Sequence, residues 1–391
     1  MFFKLSNQPQ GNFTSHYRLG SLVLSTDAGW HNIETESHVF VYKGYVEDAD
    51  WCDAMLANMH DHQYLGNFLC FRFDRATRMI EILGNRWRGV TMWYKQNFWL
   101  SNLDKEADPL WNDSVITVDQ DLVCNTKPLD IIGEVYEGCH DANRVVGAVN
   151  QILHDRTVGF LNHNRLPIKV FCSGGIDSTL VWSYVAKHTA NYELVLENRV
   201  QWDRFWCMNR RKITSLFWGY TQIHHWLEPC VLTSGAPGDE FMMRGPTTVN
   251  LWCMYHGLDI FDVLHNRECL HHDYYMQDKH QKLFRQQQQD RSLDSVMRLD
   301  RNEFIRYICN INANDCQHWH LGNTLTFTPL RDMRILKLML ALPVDDLLTQ
   351  ILDSAISKRL IAGNDQNLLS MLSDTKNVGE SFSNLAQLIS R

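Results

Sequence analysis

A chain of 391 residues exceeds the roughly 100 to 200 that one core usually serves, so two domains are the first expectation. A composition of 45% hydrophobic and 21% charged residues suits globular folding, and a formal net charge of −8 excludes the basic footprint of a nucleic-acid binder. No apolar run reaches the roughly 18 residues of a membrane span, which excludes a helical membrane protein. The opening MFFKLSNQPQGNF has neither a long apolar stretch nor a small-residue cleavage site, so no secretion signal is expected. Eleven cysteines, odd in number and without paired spacing, suit reduced thiols, and the expected compartment is cytoplasmic.

Residues 1–125 alternate in the manner of strands at Ser37–Tyr42, Phe68–Phe73 and Met79–Leu83, with turn signals between them. A β-rich first domain is expected there, with a second domain over residues 126–391. Helical spacing of Ile132, Val135, Ala148, Val149 and Ile152 predicts a connecting helix within 130–159. The pattern then becomes strand (166–172), helix (179–188), strand (192–197), helix (202–219) and strand (230–233), the signature of a parallel α/β sheet. Beyond about residue 250 the pattern is mostly helical. One apolar helix carries Ile335, Leu336, Leu338, Met339, Leu340 and Leu342, with Pro343 as its stop.

Between the first of these strands and its helix stands Ser173-Gly174-Gly175-Ile176-Asp177-Ser178. Ligands of open α/β sheets bind outside the carboxyl ends of strands, and such a turn offers backbone N–H groups and a helix N-terminus to a polyanion. Asp177 would repel a phosphate, so an acid here makes sense where it holds Mg²⁺ that bridges carboxylate and phosphate. The Walker A lysine is absent, which disfavours γ-phosphate transfer. A second acidic turn, Leu232-Thr-Ser-Gly-Ala-Pro-Gly-Asp-Glu240, also follows an apolar run and puts Asp239 at the same sheet edge.

The first turn resembles the pyrophosphate loop of the N-type ATP pyrophosphatases. The second is similar to the SGEGSDE-type segment of asparagine synthetases and β-lactam synthetases. Thr326-Phe-Thr-Pro-Leu-Arg-Asp332 resembles that family's R-x-P-F-L-D segment, and Tyr64–Asp74 with Gly84–Tyr94 resembles stretches of its N-terminal domain. The resemblance implies an Ntn-hydrolase-like β-sandwich domain followed by an adenine nucleotide α-hydrolase-like parallel-sheet domain with a helical tail. It implies ATP and Mg²⁺, with a carboxylate substrate attacking the α-phosphate and ammonia or an amine displacing AMP. Ser173, Gly174, Gly175 and Ser178 would cradle pyrophosphate, Asp177 and Asp239 would hold Mg²⁺, and Ser234 and Gly235 would line the AMP site. Lys376 stands where the family has a lysine that stabilises the transition state.

Three departures shape the expectation. Family glutaminase domains use a cysteine at position 2, whereas this chain has Phe2, and Lys43-Gly44-Tyr45 replaces the glutamine-binding N-G-E stretch. No glutaminase activity is therefore expected. Ala236 replaces a glutamate that handles the incoming amine in asparagine synthetases, and the spacing Asp177 to Asp239 (239 − 177 = 62 residues) is short for the family. The expected partners are a small-molecule or peptide carboxylate and an amine, with no nucleic acid and no membrane, and self-association is left open. A catalytically weakened ATP-binding regulatory relative is the alternative, and adenylation of tRNA or a nucleobase would need a basic surface.

Overall fold

The computed structural model describes residues 3–46, 66–84, 92–102, 108–110, 114–128, 141–172, 175–196, 228–235, 238–266, 275–290, 298–300, 303–304, 307–308 and 323–369. The architecture is mixed α/β. The strands are β1 (Phe3–Ser6), β2 (Ser15–Leu19), β3 (Leu22–Thr26), β4 (His31–Glu34), β5 (His38–Val46), β6 (Gly66–Asp74), β7 (Ile80–Gly84), β8 (Met92–Lys95), β9 (Trp99–Ser101), β10 (Asp108–Leu110), β11 (Ser114–Val118) and β12 (Cys124–Pro128), then β13 (Ile168–Cys172), β14 (Glu193–Leu196), β15 (Cys230–Thr233) and β16 (Thr324–Phe327). The first twelve build two six-stranded antiparallel sheets, ordered β10-β8-β9-β1-β3-β2 and β12-β11-β7-β6-β5-β4.

Period-2 alternation explains how these sheets meet. Along the nine-residue β5–β6 pairing, Val39, Val41, Leu69, Phe71 and Phe73 point to one face. There they join Phe3, Leu5 and Leu24 of the other sheet in a shared core. Phe40, Phe68 and Cys70, at the intervening positions, pack on the opposite face. The expected strands at 37–42, 68–73 and 79–83 are the cores of β5, β6 and β7.

Lys43 and Tyr45 both serve the structure. Buried Lys43 donates to the Asp27 carboxylate at 3.1 Å. Burial lowers its pKa from the ordinary lysine value, and Asp27 only partly offsets this. The Tyr45 hydroxyl and the Asn67 amide both donate to the Thr326 carbonyl, at 3.2 and 2.9 Å, and fasten the antiparallel region to β16. Stacked Phe160 and Phe327, 4.2 Å between centroids, lie beside that joint.

The parallel sheet is ordered β14-β13-β15-β16. From central β13 the chain runs outward to β14 and then re-enters on the other side at β15. The strand order therefore reverses between β13 and β15, the topological switch point where ligands of such sheets bind.

The helices are α1 (Ala142–His163), α2 (Ile176–His188), α3 (Gly238–Phe241), α4 (Pro246–Tyr255), α5 (Ile260–Asn266), α6 (Asp278–Gln289), α7 (Met333–Leu340), α8 (Val344–Asp353), α9 (Ala355–Asn364) and α10 (Gln366–Leu369). None of the described helices is long and apolar enough to cross a membrane. Of the helical segment expected over 130–159, the part from Ala142 is α1, capped by Asp141 and continuing to His163, and Ile132 and Val135 lie outside the described residues. Two boundaries differ from expectation. Helix α2 starts at Ile176 instead of 179 because Gly175 takes the extended cap conformation, which puts Asp177 in the first helical turn. Helix α7 stops at Leu340, and Pro343 begins the next helix as its N-cap. Strand β16 interrupts the expected helical run because Thr324-Leu-Thr-Phe327 pairs in parallel with β15. The expected helix at 202–219 lies outside the described residues.

Arg156 of α1 fixes the segment after β16. Its guanidinium donates to the carbonyls of Pro329 and Arg331 at 2.7 and 2.9 Å and faces the Asp332 carboxylate, which caps α7 by accepting from the Arg334 N–H. Burial opposes the Asp332 charge, but hydrogen bonding from Arg334 and the charges of Arg156 and Arg334 outweigh it and hold its pKa below the usual carboxylate range. A carboxylate depressed in the folded state contributes stability that is complete above its unfolded value, about 3.9, and is lost as pH falls through the folded value. Asp332→Asn is accordingly expected to lower stability near neutral pH by about 1.5–3 kcal/mol. It should also flatten the decline below about pH 4. Urea midpoints across pH 2.5–7 check both, and an unchanged acid limb would contradict the assignment.

Candidate functional site

Two turns leave the carboxyl ends of β13 and β15 side by side. In the first, the Gly175 carbonyl accepts from the Thr179 N–H at 3.0 Å and from the hydroxyls of Ser178 and Thr179, both at 2.9 Å. The Ser178 hydroxyl is thus directed back into its own turn. In the second, Ser234 is buried and its N–H donates to the Phe327 carbonyl at 3.2 Å, tying β15 to β16. The Gly238 N–H then closes a tight turn on the Gly235 carbonyl at 2.8 Å.

Glycine is required in this second turn by close approach. A Cβ on Gly235 would strike the Asp177 carbonyl and the Ser178 nitrogen, and one on Gly238 would strike the Asp177 carboxylate. The chain therefore returns against the first turn at the switch point, with backbone on backbone.

Asp177 and Asp239 converge on a third residue, Arg244, which sequence reasoning missed. One terminal nitrogen, Nη2, donates to Asp177 Oδ2 and, at 3.0 Å, to Asp239 Oδ1. Its other terminal nitrogen donates to Ser354 Oγ at 2.9 Å, at the junction of α8 and α9. The Arg244 backbone is also held, because its carbonyl accepts from the Tyr275 hydroxyl at 2.8 Å. After α3 the chain turns back through Met243, at φ 57°, so that the N–H groups of Arg244 and Gly245 both reach the Asp239 carbonyl. That reversal aims the Arg244 side chain at the carboxylates. Burial works against the Arg244 charge, but the Asp177 and Asp239 carboxylates outweigh it, and its pKa lies above the ordinary arginine value. A lone arginine in the apolar stretch Phe241-Met-Met-Arg-Gly245 was the available signal.

The donor set fits Mg²⁺, which is commonly bound by one or two carboxylates with substrate phosphates and water completing the shell. Both carboxylates meet at one cationic atom, Arg244 Nη2. Among the described residues no three His, Cys, Asp or Glu side chains gather as a metal site. Ser173, Gly174, Ala236 and Lys376 lie outside the described residues, as does Phe2. Of the predicted site residues, Gly175, Asp177, Ser178, Ser234, Gly235 and Asp239 are gathered at one sheet edge. No protein-family model matches the chain, and no curated protein matches it.

Proposed function

We propose that the chain is an ATP-dependent, AMP-forming amide ligase of the asparagine synthetase type, joining ammonia or an amine to a carboxylate and lacking glutaminase activity. The observation that carries this reading is the convergence of Asp177 and Asp239 on one cationic atom at the switch point of the parallel sheet. The two folds proposed are an Ntn-hydrolase-like sandwich and an adenine nucleotide α-hydrolase-like sheet with a helical tail, and the proposed compartment is the cytoplasm.

In the proposed mechanism the residues do their work chiefly by preorganisation. The N-terminus of α2, after Gly175, would face the pyrophosphate moiety of ATP, where negative charge accumulates as the α–β bond breaks, and Ser173 and Gly174 are proposed to add backbone N–H groups. Asp177 and Asp239 would hold Mg²⁺, which supplies charge neutralisation to the leaving pyrophosphate. Ser234 and Gly235 are proposed to line the AMP side, and the close approach of Gly235 to the Asp177 backbone supports placing the two halves of a nucleotide side by side. Lys376 is proposed to stabilise the pentavalent transition state. The substrate carboxylate attacks the α-phosphorus, pyrophosphate leaves, and the amine then attacks the acyl carbon and expels AMP.

The proposed lack of glutaminase activity draws on Lys43-Gly44-Tyr45, whose Lys43 pairs with Asp27 and whose Tyr45 hydroxyl donates to the Thr326 carbonyl. A second reading, a nucleotide-binding regulatory relative, draws on Ala236 and on the guanidinium between the two carboxylates. Calorimetric titration with an α,β-methylene ATP analogue and Mg²⁺ tests the reading common to both: saturable binding is expected, and its absence would contradict them together. Pyrophosphate release in the presence of acceptor acids then separates the ligase from the binding module.

A further inference from the structure

We infer that Arg244 is the resting counter-ion of the two-carboxylate site, and that a divalent cation reaches Asp177 and Asp239 by exchange with its guanidinium. The inference rests on the proposed cation site and assigns it a residue that controls affinity. Three observations carry it. Nη2 touches one oxygen of each carboxylate, so it holds the position between them that a bridging cation takes. Arg244 is buried, with its side chain 4% exposed, and is anchored separately by Ser354 and Tyr275, so its placement is built into the fold. The Nε atom is buried and makes no hydrogen bond among the described residues, so the guanidinium is incompletely satisfied where it rests.

Charge makes the exchange reasonable. Two carboxylates and one guanidinium leave the site at a formal −1, and a divalent cation added beside an unmoved arginine would face a like charge at hydrogen-bond range. Once Nη2 is released, the cation gains both carboxylates, and the guanidinium is left close to the place proposed for polyphosphate, a group that arginine binds well. Apo protein should therefore bind divalent ions weakly, with nucleotide favouring the exchange by offering Arg244 new acceptors. Arg244 is a positioning residue in this scheme.

The experiment uses full-length protein without nucleotide and Mn²⁺ as the probe, with binding read by electron paramagnetic resonance. Arg244→Gln is expected to bind Mn²⁺ at least about tenfold more tightly than wild type, since it removes the competing charge. Adding Asp177→Asn to that variant should abolish the gain. Equal or weaker Mn²⁺ binding by Arg244→Gln would overturn the role given to Arg244. Failure of both proteins to bind at any concentration would instead overturn the cation site itself. Should the glutamine variant not fold, wild type alone decides through the Arg244 Nε–Hε resonance during a Mg²⁺ titration. That resonance is expected to shift in step with occupancy, and a resonance unmoved at saturation would refute the exchange.

Discussion

Asp177→Asn is expected to lower pyrophosphate release from ATP by about 100-fold or more, the cost of losing one preorganised electrostatic partner of a developing charge. The substitution keeps the shape of the side chain and removes its charge, so the turn itself should persist. Its side effect is predictable. Arg244 would retain only Asp239 as a charged partner, and a buried cation that loses one of two carboxylates is destabilising. Stability and activity must therefore be read on the same sample. A variant that melts a few degrees lower yet binds and turns over ATP as wild type does would remove Asp177 from the chemistry.

Gly235→Ala carries the second large effect. The added methyl would meet the Asp177 carbonyl and the Ser178 nitrogen, which are backbone atoms that no rotamer change can move aside. The carboxyl ends of β13 and β15 would have to separate. A cost of about 1–3 kcal/mol is expected for such overpacking. Nucleotide affinity should fall with it, because the same separation draws Asp239 away from Asp177. Gly147→Ala supplies the contrast. Gly147 is exposed within α1 with open space around its Cβ position, so alanine there should stabilise by about 0.5–1 kcal/mol. Urea denaturation of both variants, paired with ATP titration, checks the pair. Equal behaviour of the two would contradict the close contact at Gly235.

The pattern of residues made some of this fold legible and left other parts hidden, for physical reasons. Strands β5, β6 and β7 could be read because Val39, Val41, Phe71 and Ile82 alternate with residues of the opposite face across one shared core. Part of helix α1 followed from the helical spacing that includes Val149 and Ile152, both buried on its core face. Strand β16 was not legible as a strand, since four residues of Thr-Leu-Thr-Phe acquire their identity only by pairing with β15.

Within the site, Asp177 and Asp239 were legible because each follows a strand and opens a helix, so local pattern alone locates it at a sheet edge. Arg244 was not. Its role depends on a reversal of the chain through Met243 at positive φ and on Ser354, 110 residues downstream, and neither leaves a local signature.

The measurement that tests the central claim most directly is ³¹P NMR of ATP and Mg²⁺ incubated with the protein, ammonium and a pool of small carboxylic acids. AMP and pyrophosphate in equal amounts, absent with Asp177→Asn, is the result predicted for α–β cleavage at the edge of β13 and β15. ADP and orthophosphate as the products, or the same AMP yield from the Asp177→Asn variant, would contradict it.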